Sequence, residues 1–351
     1  MKRLVITLAL AVLLLIALAA PAGAGTTVWQ PRTVAKFSAG DYGAFAGGMA
    51  ANSHGRLFVS NTNWGYYDDT TAESNIGEVW RVAPNGDKHL VATKDLSPNG
   101  MLVGIAVDRL DRVYVALVDF GDPQTVGCGV FRVAANGSLV KKVALPAGTF
   151  PNGLAIHRGR VYITDSATGA VWRSKLGNGV ATPADPWFQD ALLAPGDPAD
   201  PEMRGMGANG IAFHGERLFV NVSDYGRIVR VRVKGDGSPG VPSVICEQPE
   251  LKTADNMAFD ALGGLWIATD TGTTTGASPS GGLYRLSPAA GLWQIADDPG
   301  WLNYPTAPVF GTTAGTLRTL YVLNGAYFSY DDLVGPGIRV LHVGIPGQPV
   351  R

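Results

Sequence analysis

Short apolar runs, each opened by a small or polar residue and followed by a turn and a second run rich in Val, Tyr, Phe and Trp, recur six times along the chain. They read Gly48-Met49-Ala50 with Arg56-Leu57-Phe58-Val59, Gly104-Ile105-Ala106-Val107 with Val113-Tyr114-Val115, and Gly153-Leu154-Ala155-Ile156 with Val161-Tyr162-Ile163. Gly210-Ile211-Ala212-Phe213 with Leu218-Phe219-Val220 and Asn256-Met257-Ala258-Phe259 with Leu265-Trp266-Ile267 continue the series, and a degenerate copy pairs Ala307-Pro308-Val309-Phe310 with Leu320-Tyr321-Val322. The anchors Met49, Ile105, Leu154, Ile211, Met257 and Ala307 lie 46 to 57 residues apart, so loops of unequal length interrupt a constant unit.

A third run follows in each unit: Val79-Trp80-Arg81-Val82, Val130-Phe131-Arg132-Val133, Val171-Trp172-Arg173, Ile228-Val229-Arg230-Val231, Leu283-Tyr284-Arg285-Leu286 and Val340-Leu341-His342-Val343. Turns such as Pro84-Asn85-Gly86 and Ala135-Asn136-Gly137 then lead into a fourth. Four antiparallel strands in each of six units of about 54 residues predict an all-β fold, a six-bladed β-propeller. The last unit runs into Pro346 and Pro349 without a fourth strand, and Arg32 to Phe37 has the length and alternation to supply it. The N-terminal strand is therefore expected to close the ring, which removes an unpaired edge.

Met1-Lys2-Arg3, the apolar run Leu4 to Ala20 and Ala22-Gly23-Ala24 compose a signal peptide over residues 1–24, followed by a single domain over 25–351. Its removal leaves 327 residues of formal charge −3. The protein is expected to be secreted, periplasmic or extracellular, with no membrane contact after cleavage, and to act as a monomer. With 28 Lys and Arg against 29 Asp and Glu there is no basic face for nucleic acid. The high Gly and Pro content, 46 and 23 residues, with only 16% charged residues suits a turn-rich folded domain. Cys128 and Cys246 fall in non-adjacent units and predict no disulfide.

In a propeller the residue just before each innermost strand crowds the central axis. Here these are Gly47, Val103, Asn152, Asn209, Asp255 with Asn256, and Pro305 with Thr306. Asn152, Asn209, Asp255 and Asn256 offer four side-chain oxygens from three consecutive units, a donor set for a hard divalent cation such as calcium. Each Asn-Gly or Asp-Asn step taken singly also makes a turn.

The Pro151-Asn152-Gly153, Ala208-Asn209-Gly210 and Asp255-Asn256 series resembles the gluconolactonase, regucalcin and luciferin-regenerating-enzyme propellers, and more distantly the paraoxonases and NHL-repeat proteins, over about Phe37 to Val343. The resemblance implies that Asn152, Asn209 and Asp255 hold a divalent metal above the channel, that Asn256 joins them as in paraoxonase-like members, and that the metal polarises a lactone carbonyl with Asp255 near the attacking water. It also implies a metal-binding Glu in the first blade. The matching stretch here is Ala46-Gly47-Gly48-Met49, and losing one of two anionic ligands weakens a calcium site and its Lewis acidity. Glu202, in the long acidic connection that also carries Asp190, Asp197 and Asp200, is a candidate substitute ligand.

Trp64, Tyr67, Trp187, Tyr225 and Tyr327 are candidate substrate-binding residues, because loops after the second strands and the long connection bring aromatics among Asp and Asn, a surface suited to a sugar, lactone or other small organic molecule. Asp165, Asp224 and Asp270 end second strands and either support the axial set or bond turn amides. His157 and His214 fall on the opposite face and are expected to be structural. Two functions remain open: a metal-dependent lactone or ester hydrolase with Asp255 catalytic, or a non-catalytic propeller binding a small molecule, glycan or protein through its aromatic face.

Overall fold

Each apolar run identified above is a strand, and the strands hydrogen-bond into six radial sheets in a computed structural model that describes residues 31–37, 44–63, 75–97, 100–119, 127–177, 182–200, 203–270, 281–326 and 336–349. Residues 1–24, read above as a signal peptide, lie outside these residues. The N-terminal strand β1 (Arg32–Lys36) precedes blade 1, which comprises β2 (Ala44–Ala51), β3 (Leu57–Asn63), β4 (Asn75–Val82) and β5 (Lys88–Leu96). Blade 2 is β6 (Gly100–Val107), β7 (Val113–Asp119), β8 (Gly129–Val133) and β9 (Leu139–Ala144). Blade 3 is β10 (Pro151–His157), β11 (Arg160–Asp165), β12 (Ala170–Lys175) and β14 (Asp185–Gln189), while the short β13 (Thr182–Pro183) runs parallel to β9. Blade 4 is β15 (Ala208–His214), β16 (Arg217–Val222), β17 (Arg227–Arg232) and β18 (Ser243–Glu247). Blade 5 is β19 (Ala254–Phe259), β20 (Leu265–Thr269), β21 (Gly282–Ser287) and β22 (Gly291–Ala296). Among the described residues, blade 6 draws β23 (Pro305–Phe310), β24 (Thr319–Asn324) and β25 (Gly337–His342) from its own repeat, and β1 pairs antiparallel with β25 as its fourth strand.

Apolar side chains on both faces of a sheet need cover on both sides, and neighbouring blades supply it. The buried residues fall into six clusters, and each draws on two adjacent blades. The cluster that joins blades 6 and 1 takes Val34, Ala35 and Phe37 from the N-terminal strand, packed with Leu57, Val59, Tyr321 and Ile338. The ring is thus closed by core packing as well as by backbone bonds. The chain's end adds a second tie: Gly347 donates to the Leu317 carbonyl, Gln348 to that of Phe259, and the Gln348 side chain meets His214 Nδ1 at 2.7 Å. Cys128 and Cys246 are free thiols.

The innermost strands share one irregularity. In every blade the register with the second strand slips at the axial end, so that two residues face one. Such a bulge re-aims its extra side chain out of the ladder. In blade 3 Asn152-Gly153 oppose Thr164, in blade 4 Asn209-Gly210 oppose Asn221, and in blade 5 Asp255-Asn256 oppose Ala268. The opposing side chain bonds across to the next blade's bulge: Ser60 to the Val103 carbonyl, Thr164 to that of Asn209 and Asn221 Nδ2 to that of Asp255. Thr306 Oγ1 in turn donates to the Ala46 carbonyl at 3.0 Å. The glycine at the bulges of blades 1 to 4 permits this approach, because a Cβ on Gly104 or Gly210 would overlap the carbonyl oxygen of Asn152 or Asp255.

Gly104→Ala and Gly210→Ala are each expected to destabilise the protein by about 1–3 kcal/mol in urea titrations, the usual penalty for overpacking. Gly235→Ala, where an added Cβ meets nothing within 4 Å, is expected to change stability by less than about 0.5 kcal/mol.

Candidate functional site

Gly47, Val103, Asn152, Asn209 and Asp255 share one register position at the bulges, two residues before the anchors of the first five inner strands, where blade 6 has Pro305. Blades 1 and 2 contribute no polar side chain there, whereas blades 3, 4 and 5 contribute two carboxamides and a carboxylate, all buried. On the channel side lie the anchors Met49, Ile105, Leu154, Ile211, Met257 and Ala307, which line a central channel of ≈ 370 Å³. Asn256 lines the same channel and donates from Nδ2 to Asp255 Oδ1 at 3.0 Å.

A repeated serine relay fixes the two carboxamides. Asn152 Nδ2 donates to Ser166 Oγ at 3.2 Å, and Ser166 Oγ donates to the Ala208 carbonyl at 2.8 Å. One blade on, Asn209 Nδ2 donates to Ser223 Oγ at 3.0 Å, and Ser223 Oγ to the Ala254 carbonyl at 2.6 Å. Holding the amide nitrogen this way settles which end of each carboxamide is free. Asn209 Oδ1 is buried and accepts no hydrogen bond, a costly state for a lone acceptor unless something else supplies a partner.

The three aspartates at the ends of second strands, alike in sequence, occupy three different register positions. Asp165 stands opposite Pro151 and takes bonds from the Phe150, Ala167 and Thr168 amides, the Thr168 hydroxyl and the Trp172 indole. Asp224 follows the relay serine of blade 4 and accepts the amides of Gly196, Arg204 and Met206, which pins the long connection between blades 3 and 4. Asp270 stands at the serine position itself: its amide donates to the Thr253 carbonyl as Ser166 donates to Phe150 and Ser223 to Gly207. Its Oδ1 is buried without a hydrogen-bond partner. Burial pushes its carboxyl up to about 7, against the opposing pull of the Arg204 guanidinium.

Asp270, Asn209, Ser223 and Thr253 share a cavity of ≈ 70 Å³, to whose wall Arg204 and Lys252 add two cationic side chains. Thr253 has φ 66°, a left-handed conformation that costs a β-branched residue on the order of 1–3 kcal/mol. Backbone strain of this kind gathers at functional sites. Sequence reading missed the serine relay, although Ser166 and Ser223 each stand 14 residues after their asparagine, a spacing that could have revealed it.

Of the aromatic candidates, Trp64, Tyr67 and Tyr327 lie outside the described residues, as does Glu202. Trp187 corrects the expectation of a ligand contact. It sits on β14, the outermost strand of blade 3, buried edge-on against Tyr162 with its indole donating to the Gly237 carbonyl at 2.8 Å, so it packs blade 3 against blade 4. Tyr225 ends a short 3-10 turn after β16, and its ring covers the Arg227 guanidinium at 4.7 Å. His157 stacks on Phe213 at 4.3 Å on the opposite face, as expected of a structural histidine.

No family model matches the sequence, and no curated protein is significantly similar to it. Solved structures do share its fold. A gluconolactonase from Xanthomonas campestris superposes with a TM-score of 0.56 at 16% identity over 87% of this chain and 88% of that one. A second chain assigned as a gluconolactonase superposes at 0.55 with 14% identity, over 93% and 94%. The PQQ-bound aldose sugar dehydrogenase of Streptomyces coelicolor reaches 0.56 at 15% identity, over 88% and 96%. The fold is that of the gluconolactonase-like six-bladed propellers, and it also carries sugar-oxidising enzymes, so chemistry must be argued from the axial residues.

Asp270 binds its proton more tightly in the folded protein than in the unfolded chain, so its contribution to stability is whole below the ordinary value of 3.8 and is lost as pH rises through about 7. In chelator-treated protein, Asp270→Asn is therefore expected to be the more stable form above neutral pH, with the difference closing in acid. Urea unfolding at pH 4 and pH 8 checks this.

Proposed function

We propose that the protein is a divalent-cation-dependent hydrolase that opens a lactone or a related ester, with calcium the fitting ion and the bulge residues of blades 3 to 5 as its centre. The observation that carries this reading is the orphaned Oδ1 of Asn209 beside a relay that commits the amide nitrogens of Asn152 and Asn209 to serine hydroxyls. Carboxamide oxygens with a carboxylate form a hard donor set, which suits calcium better than zinc. The fold shared with a gluconolactonase adds support.

A bound cation would supply electrophilic polarisation of the substrate carbonyl. Asp255 contributes the negative charge of the axial set and would accept a proton from the attacking water, while Asn256, bonded to its Oδ1, fixes the carboxylate's orientation. Asn152 and Asn209 act as neutral oxygen donors whose direction the two serines set. The N-terminal segment Met1 to Ala24 supports action outside the cytoplasm. The loss of a first-blade carboxylate at Gly47 favours a second reading, in which the same centre binds a ligand without turning it over.

The test is metal analysis of the purified protein with a lactone panel assayed with and without chelator. Bound cation and chelator-sensitive turnover are expected, with kcat/KM falling about 10²–10⁴-fold in Asp255→Ala. Bound cation with no lactone opened supports the binding reading instead. Ser166→Ala and Ser223→Ala, which release the carboxamides, are each expected to weaken cation affinity about 10–100-fold, as loss of an outer partner does.

A further inference from the structure

We propose that the groove between blades 1 and 2, on the face opposite the axial set, binds a small organic carboxylate with an apolar body, held by Asn52, Arg56 and Arg81. The site is separate from the axial centre and does not depend on the hydrolase reading.

A substitution within the repeat is the ground. The turn after the inner strand carries Asp108 in blade 2, Asp260 in blade 5 and Asn52 in blade 1. All three close the turn alike, with Oδ1 accepting two backbone amides: those of Leu110 and Arg112, of Leu262 and Gly264, and of His54 and Arg56. They part at the second side-chain atom. Asp108 Oδ2 accepts Arg112 Nε at 2.7 Å, and Asp260 Oδ2 accepts Arg285 Nε at 2.8 Å and the Trp266 indole at 3.0 Å. Asn52 carries an amide donor there instead.

Blade 1 nevertheless keeps both arginines. Arg56 stands four residues after Asn52, as Arg112 does after Asp108. Arg81 pairs across the ladder with Phe58, as Arg285 does with Trp266. The two backbone positions from which a guanidinium reaches the acid in blades 2 and 5 are thus both arginine in blade 1, where the acid is gone. Asn52 is only 5% exposed. Among the described residues, no hydrogen bond or ion pair engages Asn52 Nδ2 or the guanidinium of Arg56 or Arg81. A buried donor without a partner costs about 1–3 kcal/mol. A ligand carboxylate relieves that cost and gives the guanidinium groups the charge-assisted partner that Asp108 and Asp260 supply elsewhere.

The rest of the groove sets the rest of the ligand. Asn52, Arg56 and Arg81 line one cavity of ≈ 510 Å³, to which Phe58, Val91, Val113 and Val133 give apolar walls. Its other charges are already engaged: Arg112 is held by Asp108, and Asp111 accepts the Ser53 amide and hydroxyl and His54 Nδ1. Inorganic phosphate would meet the guanidinium groups and leave the apolar walls bare, so the lining favours a carboxylate on an aromatic or aliphatic body.

Fluorine NMR titration of the full chain with para-fluorobenzoate tests this, in chelator so that no axial cation takes up the carboxylate. Saturable binding is expected, at least about 10-fold weaker in Arg56→Gln and in Arg81→Gln, the loss of one hydrogen bond to a charged group. Asn52→Asp restores the acid of blades 2 and 5, and is expected to abolish binding and to melt no lower than the unaltered protein. Arg217→Gln, exposed on the same face of blade 4, is expected to bind like the unaltered protein. Neutral para-fluorobenzamide is expected to bind at least about 10-fold more weakly than the acid. Arg56 is exposed, so its variant keeps the test open should Arg81→Gln unfold. No saturable binding by the unaltered protein, or equal binding in all three blade 1 variants, overturns the proposal. Equal affinity for the benzamide reduces the groove to an apolar pocket and overturns anion recognition. Inorganic phosphate displacing the probe at a lower concentration than unlabelled benzoate overturns the assignment to an organic acid. Lactone opening and the axial cation stand or fall separately from each of these results.

Discussion

The tight approach of successive inner strands governs this molecule. At the axial ends of blades 2, 4 and 5 a two-residue bulge turns a carbonyl toward its neighbour, and a side chain from the preceding blade, Ser60, Thr164 or Asn221, closes the gap with a hydrogen bond. Glycine at positions 104, 153 and 210 is what lets the strands come so near. The collar so formed sets the diameter of the channel and fixes the azimuth of every side chain that the bulges eject. The interblade clusters of apolar side chains stabilise the ring, but they act further out and place nothing at the centre.

On that rigid collar the chemistry is lopsided. Gly47 and Val103 leave blades 1 and 2 without a donor, and the functional groups concentrate on the arc of blades 3 to 5. The long connection between blades 3 and 4 is drawn over this arc by the three amide bonds to Asp224, and it brings Arg204 to the cavity beside Asn209. At this register position blades 3 to 5 therefore offer oxygens and charge, whereas blades 1 and 2 offer glycine and valine.

The ring, its six blades and its closure by Arg32 to Phe37 were legible because each follows from period and count: a repeated strand pattern must pair, and an odd strand at one end must find the gap at the other. The place of Asn152, Asn209 and Asp255 on the inner strands was legible for the same reason, since each stands two residues before the anchor of its repeat. What escaped was register at single-residue resolution. Asp165, Asp224 and Asp270 read alike as aspartates ending a strand, yet one residue's difference sends each side chain to a different neighbour. Trp187 misled because its loop is long and acidic, features of a ligand face; the segment in fact folds back as an outer strand, where a large indole fills the wedge between diverging blades.

The pairing of β1 with β25 has a consequence for how the chain reaches its final form. Thr33 and Arg339, which hydrogen-bond across that pair, are separated by 306 residues. β1 is thus made before every blade and must wait longest for its partner, because β25 follows all the other strands. Contacts so distant along the chain form slowly, and in the interval an exposed strand edge is open to adventitious β-pairing with other chains. Folding speed and colloidal behaviour in this protein are therefore decided by its ends, far in sequence from the residues that give the centre its chemistry.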